Sequence, residues 1–189
     1  MTSAAVQWET DRPAAEPRKA HVIQGEYLIS DDADLLMTTI LGSCVAACMR
    51  DPVARVGGMN HFLLPGATGD EGLRYGVQSM ELLVNGLLMR GARRDRLEVK
   101  LFGGGRLING LTDVGLQNAE FAERFIRDEG LTHAGGSLRG TQARRIQYWP
   151  VSGRARQVLL EATDSRVVAA ERRRPVVVPP DQSGALELF

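Results

Sequence analysis

The chain has 189 residues, 43% hydrophobic and 24% charged, which suits one packed domain and excludes global disorder. Lys plus Arg and Asp plus Glu number 23 each, so the basic excess usual in a nucleic-acid binder is missing. The two cysteines, Cys44 and Cys48, would lie about 13 Å apart on one extended strand at ~3.3 Å per residue, too far for a disulfide. Free thiols point to a reducing, cytoplasmic setting.

Residues 1–19, rich in Ala, Pro and charge, read as a flexible tail without the apolar core of a signal peptide. No apolar run approaches the roughly 18 residues of a membrane span, so a soluble cytoplasmic protein is expected. Residues 20–161 read as one domain. Residues 162–189, with Arg172–Arg174 and several prolines, read as a second solvated tail.

Within the domain, "HVIQGEYLIS" holds short extended runs around Gly25. "LLMTTILGS" and "CVAACMRD" read as two strands meeting at Gly42-Ser43, and "VGGMNHFLL" follows a turn at Asp51-Pro52. Met80, Leu83, Val84, Leu87 and Leu88 recur at helical spacing, and Gly91 supplies the stop. "RLEVKLFGGG" is a strand running into a glycine turn. "DVGLQNAEFAERFIRDEG" is a second helix, capped by Asp113, striped by Phe121, Ala122, Phe125 and Ile126, and ended at Gly130. "RRIQYWPVSGRARQVLLEA" is a hairpin turning at Ser152-Gly153. Strands and helices do not alternate strictly, so a mixed or antiparallel sheet system with helices outside is expected rather than a doubly wound sheet.

Chemistry concentrates at Gly42-Ser43-Cys44 and His61. A thiol attacks as thiolate, and a nearby imidazole can take its proton and later return it to a leaving amine. Gly42 permits a tight bend ahead of Cys44, which can turn the N–H groups of Ser43 and Cys44 toward an attacked carbonyl. Thr38 and Thr39 are both candidates to orient the imidazole. Against this, a cysteine in an apolar strand is usually a small buried hydrophobe, as Cys48 reads, and a lone histidine is usually structural. Zinc on Cys44, Cys48 and His61 lacks a fourth ligand and a common spacing, so no metal or cofactor is expected. Gly103, Gly104 and Gly105 form either a packing turn or a loop facing substrate, and no Gly-Lys-Ser/Thr follows to make a P-loop. Arg144 and Arg145 read as a solvated edge.

Taken together, "TTILGSCVAACMRDPVARVGGMNHFLLP", "RYGVQSMELLVNGLLMRGA", "LEVKLFGGGRL", "VGLQNAEFAERFI" and "GTQARRIQYWPVSGR" resemble the chemoreceptor glutamine deamidases called CheD. The likeness runs in order from about Gly25 to Leu160. It implies a Cys-His-Thr triad: Cys44, His61 and, six residues before the cysteine, Thr38 rather than Thr39. It implies an α+β sheet sandwich flanked by helices, similar to the catalytic domains of glutamine-deamidating toxins. It also implies hydrolytic deamidation of glutamines in the cytoplasmic signalling domain of chemoreceptors through a cysteine thioester. For such a reaction Gly103–Gly105, which a substrate can approach closely, are expected to form one wall of the site. Two rival readings share the core: a module docking on receptors or on a CheC-type phosphatase, and a thiol esterase acting on methylated glutamates. One departure is visible. The Gly-Gly often found before the last hairpin stands here as Arg139-Gly140, with Gly135-Gly136 upstream.

Overall fold

The computed structural model describes residues 18–64, 70–107 and 113–160. Both expected tails lie almost wholly outside these residues, although Arg18 and Lys19 belong to a strand rather than to the tail. The strands are β1 Arg18–His21, β2 Tyr27–Ser30, β3 Leu35–Leu41, β4 Val45–Asp51, β5 Val56–Asn60, β6 Glu98–Gly103, β7 Thr132–Leu138, β8 Arg144–Tyr148 and β9 Ala155–Leu159. Two helices, α1 Asp70–Met89 and α2 Val114–Asp128, and one 3-10 turn at Arg94–Arg96 complete the described elements.

The strands form two mixed sheets, ordered β1-β3-β8-β9 and β2-β5-β4-β6-β7. The pleat sorts β4 between two cores. Ala46 and Cys48 face the first sheet and pack with Met37, Leu41, Ile146 and Tyr148. Val45, Ala47 and Met49 face the helices and pack with Met80, Leu83, Val84, Leu87, Phe121 and Phe125. A strand buried on both faces has no polar alternation to show, which is why "CVAACM" reads as one apolar run. The architecture is therefore a sheet sandwich with both helices on the outer face of the five-stranded sheet, as expected.

Both helices stop by the same device. Gly91 and Gly130 take positive φ of 88° and 64°. The next N–H groups reach back across the last turn, Ala92 to Leu87 O at 3.1 Å and Leu131 to Ile126 O at 2.8 Å. Helix α1 starts at Asp70, nearly three turns ahead of Met80, where the periodic stretch read from sequence begins. Helix α2 begins as read, with Asp113 accepting from the Leu116 N–H at 2.9 Å.

Strand β7 has no counterpart among the sequence-read elements. It lies parallel to β6, with α2 as the crossover, so β6-α2-β7 is a βαβ unit. Its sequence, THAGGSL, is mostly exposed and carries no apolar alternation. Gly136 is required there, because a Cβ would overlap the Leu101 carbonyl on β6.

Asp51 ends β4 with a fully buried side chain. Its Oδ1 accepts from the N–H groups of Val53 (2.8 Å) and Ala54 (3.0 Å). Its Oδ2 accepts from the Arg93 N–H (2.9 Å) and from Arg96 Nε (2.9 Å) and Nη2 (2.7 Å). Burial alone would raise its pKa, but these donors together hold it down at about 2, below the ordinary 3.8. A depressed folded pKa gives stability that is present above pH ~4 and lost as the pH falls toward 2. Urea titrations through that window are expected to show a loss of about 2 kcal/mol from this group, a slope that disappears in Asp51→Ala.

Candidate active site

Two backbone hydrogen bonds place the two reactive side chains. Val45 N–H donates to Phe62 O and Phe62 N–H to Val45 O, both at 2.9 Å, forming an isolated antiparallel bridge. Cys44 and His61 each precede a bridge partner. They are therefore diagonal neighbours on the opposite face from Val45 and Phe62, with Cβ atoms on the order of 7 Å apart, within reach of an imidazole. That face is the inter-sheet layer. Cys44 is 1% exposed and His61 6%.

The ring of His61 is held from one side. Its Nδ1 shares a hydrogen bond with Thr39 Oγ1 at 2.9 Å and lies 3.3 Å from Val22 O. A carbonyl can only accept, so the Val22 contact requires the proton on Nδ1. Nε2 then carries the lone pair, and it is buried with no hydrogen-bond partner among the described residues. Burial lowers the His61 pKa to about 4, against a smaller opposing effect from Val22, so the ring is neutral at pH 7.

The threonine hydroxyl that meets the imidazole is that of Thr39, not Thr38. Successive side chains on β3 alternate between faces, and Thr39 shares the inter-sheet face with Met37 and Leu41. Thr38 points the other way and donates to Ile146 O at 2.8 Å. Its backbone still helps, since Thr38 O accepts from the Val22 N–H at 3.0 Å and so fixes the residue whose carbonyl meets His61.

The glycine loop braces the turn that carries Cys44. Gly103, Gly104 and Gly105 are all buried. Gly104 N–H donates to Cys44 O and Gly105 N–H to Gly42 O, both at 2.8 Å. A Cβ on Gly103, at φ 108°, would overlap the Cys44 carbonyl. Arg139 occupies the departure noted above. It takes a positive φ of 69°, donates its N–H to Gly103 O at 2.7 Å, and forms a two-pronged pair with Glu123 at 2.8 and 2.7 Å. Arg144 is not a solvated edge. It is 2% exposed, and its guanidinium holds the carbonyls of Ser137 and Arg139. Arg145 is exposed as read.

Four further residues enter the site. Asn118, fully buried on α2, donates to Ser43 O at 2.9 Å and accepts from the Leu64 N–H at 2.8 Å, clamping the segments that follow Gly42 and His61. Asn60, also fully buried, accepts from the Ala47 N–H at 2.9 Å and donates to Ser79 O on α1 at 3.1 Å. Gln24 receives the Cys44 thiol on its Oε1 at 3.6 Å. Tyr75 is half-buried, and burial first, then its electrostatic coupling to the titratable Cys44 thiol, raise its pKa. The available signal for the asparagines was polarity in an apolar setting: Asn118 lies three residues before Phe121 on the stripe, and Asn60 ends a buried strand. Cys48 is buried in the inter-sheet core, and burial pushes its thiol pKa far up. Among the described residues no group of three or more His, Cys, Asp or Glu is arranged to hold a metal ion, and no helix is long and apolar enough to cross a membrane.

Curated relatives align along nearly the whole chain. The protein of Caulobacter sp. (strain K31) is 55% identical over 175 residues, 90% of this chain and 93% of its own length. That of Acidiphilium cryptum (strain JF-5) is 55% identical over 185 residues, 93% of this chain and 97% of its own. That of Rhizobium rhizogenes is 53% identical over 180 residues, 93% of this chain and 98% of its own. The model of the family described as "CheD chemotactic sensory transduction" matches residues 63–158. The chain belongs to the CheD family. All three relatives are named "Probable chemoreceptor glutamine deamidase CheD". The family model's match begins at Leu63, so Cys44 and His61 lie ahead of it and only the full-length relatives span them. Among solved structures, the Bacillus licheniformis hypothetical protein YfiH overlays at a TM-score of 0.42 and 14% identity, covering 59% of this chain and 49% of that one.

His61 is expected to titrate near pH 4 when its ring is followed by NMR. An unfolded histidine binds its proton near 6.5, so folding loses stability as the pH falls from 6.5 to 4, by about 3 kcal/mol at the acid end. Urea titrations across that window on the parent and on His61→Ala are expected to show the slope in the first and not in the second.

Proposed function

We propose that this chain hydrolyses glutamine side chains in the cytoplasmic signalling domain of chemoreceptors to glutamate, with Cys44 as nucleophile, His61 as general base and acid, and Thr39 orienting the imidazole. The observation that carries the reading is the bare, buried Nε2 of a neutral His61 on the same sheet face as Cys44. The names of the full-length relatives supply the substrate class.

The steps follow from acid-base chemistry. His61 Nε2 takes the thiol proton as sulfur attacks the carboxamide carbon, and the carbonyl electron pair moves to oxygen. The imidazolium returns the proton to nitrogen, the C–N bond breaks, and ammonia leaves a thioester on Cys44. Water gives a proton to His61 as it attacks the thioester carbon. The C–S bond then breaks, the proton on His61 returns to sulfur, and the glutamic acid side chain departs, losing its remaining proton to solvent to become a carboxylate. Thr39 and Val22 O keep the Nδ1 proton engaged throughout.

The turn's backbone suits an oxyanion. A peptide's C=O and the next N–H point opposite ways from one plane. Gly42 O is tied to Gly105 N–H and Ser43 O to Asn118, so the N–H groups of Ser43 and Cys44 are fixed on the sides away from those supports. Fixed donors of this kind cost no reorganisation when charge develops. The product gains one negative charge, which shifts the balance between packings of a helical signalling bundle.

Incubation with a receptor cytoplasmic fragment is expected to release ammonia and add about one mass unit per modified glutamine; loss of about fourteen would instead mark a methylesterase. Cys44→Ala is expected to end ammonia release while keeping receptor binding, and retained deamidation would overturn the reading. Docking alone, on receptors or on a CheC-type phosphatase, needs neither Cys44 nor His61. Thr39→Val is expected to lower kcat by about 10-fold or more, whereas Thr38→Val keeps kcat near that of the parent.

A further inference from the structure

The segment from Val22 to Glu26, between β1 and β2, touches His61 three times. Val22 O meets Nδ1, Gly25 N–H donates to His61 O at 2.7 Å, and His61 N–H donates to Glu26 O at 3.0 Å. Gly25 turns the strap with φ 87°, a conformation that suits a residue without Cβ. Gln24 immediately precedes that turn. It is half-buried, and its carboxamide oxygen lies 3.6 Å from the Cys44 sulfur. The same strap therefore orients the base and lays a carboxamide on the nucleophile. The reaction steps above leave Gln24 without a role.

We propose that Gln24 is a further catalytic residue, whose side-chain N–H donates to the oxyanion of the tetrahedral intermediate. The inference rests on Cys44 acting as the acyl acceptor. In the resting enzyme the thiol has a proton to give and Oε1 accepts it. Once that proton sits on His61, sulfur is an acceptor only and repels a carbonyl oxygen. The terminal torsion of a glutamine is broad and roughly two-fold, so a half-turn exchanges Oε1 for the N–H group at little cost. The developing oxyanion is bonded to the carbon that sulfur attacks, two bonds from Sγ. A donor already in contact with sulfur is thus in the neighbourhood where the charge forms. Side-chain amides are effective in this role because they add a fixed dipole without a net charge. No covalent bond of Gln24 forms or breaks, so every atom and proton in the scheme keeps its place.

Gln24→Ala and Gln24→Glu in the full chain, assayed on a receptor cytoplasmic fragment, test the assignment. Loss of one oxyanion donor is expected to lower kcat about 10²-fold with KM little changed. Gln24→Glu keeps the shape but not the donor, so it is expected to fall at least as far. Alkylation of Cys44 by iodoacetamide forms no oxyanion and is expected to proceed in Gln24→Ala at the parent rate or faster. An unchanged or raised kcat in Gln24→Ala would overturn the proposal, leaving Gln24 as a plug over the thiol. A parallel fall in kcat and alkylation would also overturn it, reducing Gln24 to packing. A one-unit mass gain at Gln24 itself, absent in Cys44→Ala, would make it a substrate instead. Deamidation surviving in Cys44→Ala would remove the underlying reading, independently of anything Gln24 does.

Discussion

The site depends on a pair of backbone hydrogen bonds between Val45 and Phe62. They continue the β4–β5 pairing beyond the end of β5, just where both chains leave the regular sheet. Without them, Cys44 would be held through the glycine loop and His61 through the 22–26 segment, and the β4–β5 pairing would no longer set the two on one face. With them, the pleat does the rest. Phe62 goes outward to meet Phe121 edge-on at 5.7 Å, and His61 goes inward. Packing of the helical layer therefore sets the facing of the imidazole, which ties the chemistry to the hydrophobic core.

Polar side chains placed inside this core reinforce the same junction. A buried amide without partners costs on the order of 1–3 kcal/mol, so each must be satisfied where it stands. Asn118, on α2, and Asn60, at the end of β5, meet that condition by bridging main-chain groups on opposite sides of the site, and Asn60 reaches α1 through Ser79 O. The helices thus do more than cover the sheet: each sends an amide or receives one at the residues flanking Cys44 and His61. The glycine loop works from the remaining side. Its N–H groups grip the carbonyls of Gly42 and Cys44, and the loop is gripped in turn through Arg139 and Arg144. A nucleophile turn braced on three sides keeps its donors aimed without needing substrate to order them.

Much of this was legible in the sequence because the pattern and the physics coincided. The apolar runs of β3, β4 and β6, the turn before β5, the helical periodicity and glycine stops of both helices and the turn of the last hairpin each mean one thing. Gly-Ser-Cys and the downstream histidine marked the two side chains that the Val45–Phe62 bridge sets on one face. The parts that were not legible share a cause: each depends on a partner distant in sequence. Strand β7 has no apolar pattern because it is an exposed edge, and only its pairing with β6 makes it a strand. Arg144 looks solvated until the 137–140 loop folds over it. The choice between Thr38 and Thr39 turns on a one-residue parity, and "LLMTTIL" hides it because both faces of β3 near the threonines are buried. The sixth residue before the cysteine, which the family likeness indicated, lies on the wrong face of this strand for its hydroxyl to reach the ring.

The electrostatics of His61 bear on how the thiol is activated. A preformed thiolate-imidazolium pair would need the buried ring to carry charge, and burial opposes that strongly enough to bring its pKa to about 4. Charges in a dry interior are stable only when paired and fully hydrogen-bonded, and Nε2 has no such partner at rest. The resting site is better described as a neutral thiol, occupied with the Gln24 carboxamide, facing a neutral ring that is pinned at its far nitrogen. Proton transfer then belongs with attack: the charge left on sulfur passes at once to the carboxamide oxygen, where the turn's N–H groups can meet it. Such an arrangement keeps an unreacted thiol quiet in the absence of substrate. In the proposed reaction, the hydrogen bonds around the developing oxyanion then matter more to the barrier than the basicity of His61.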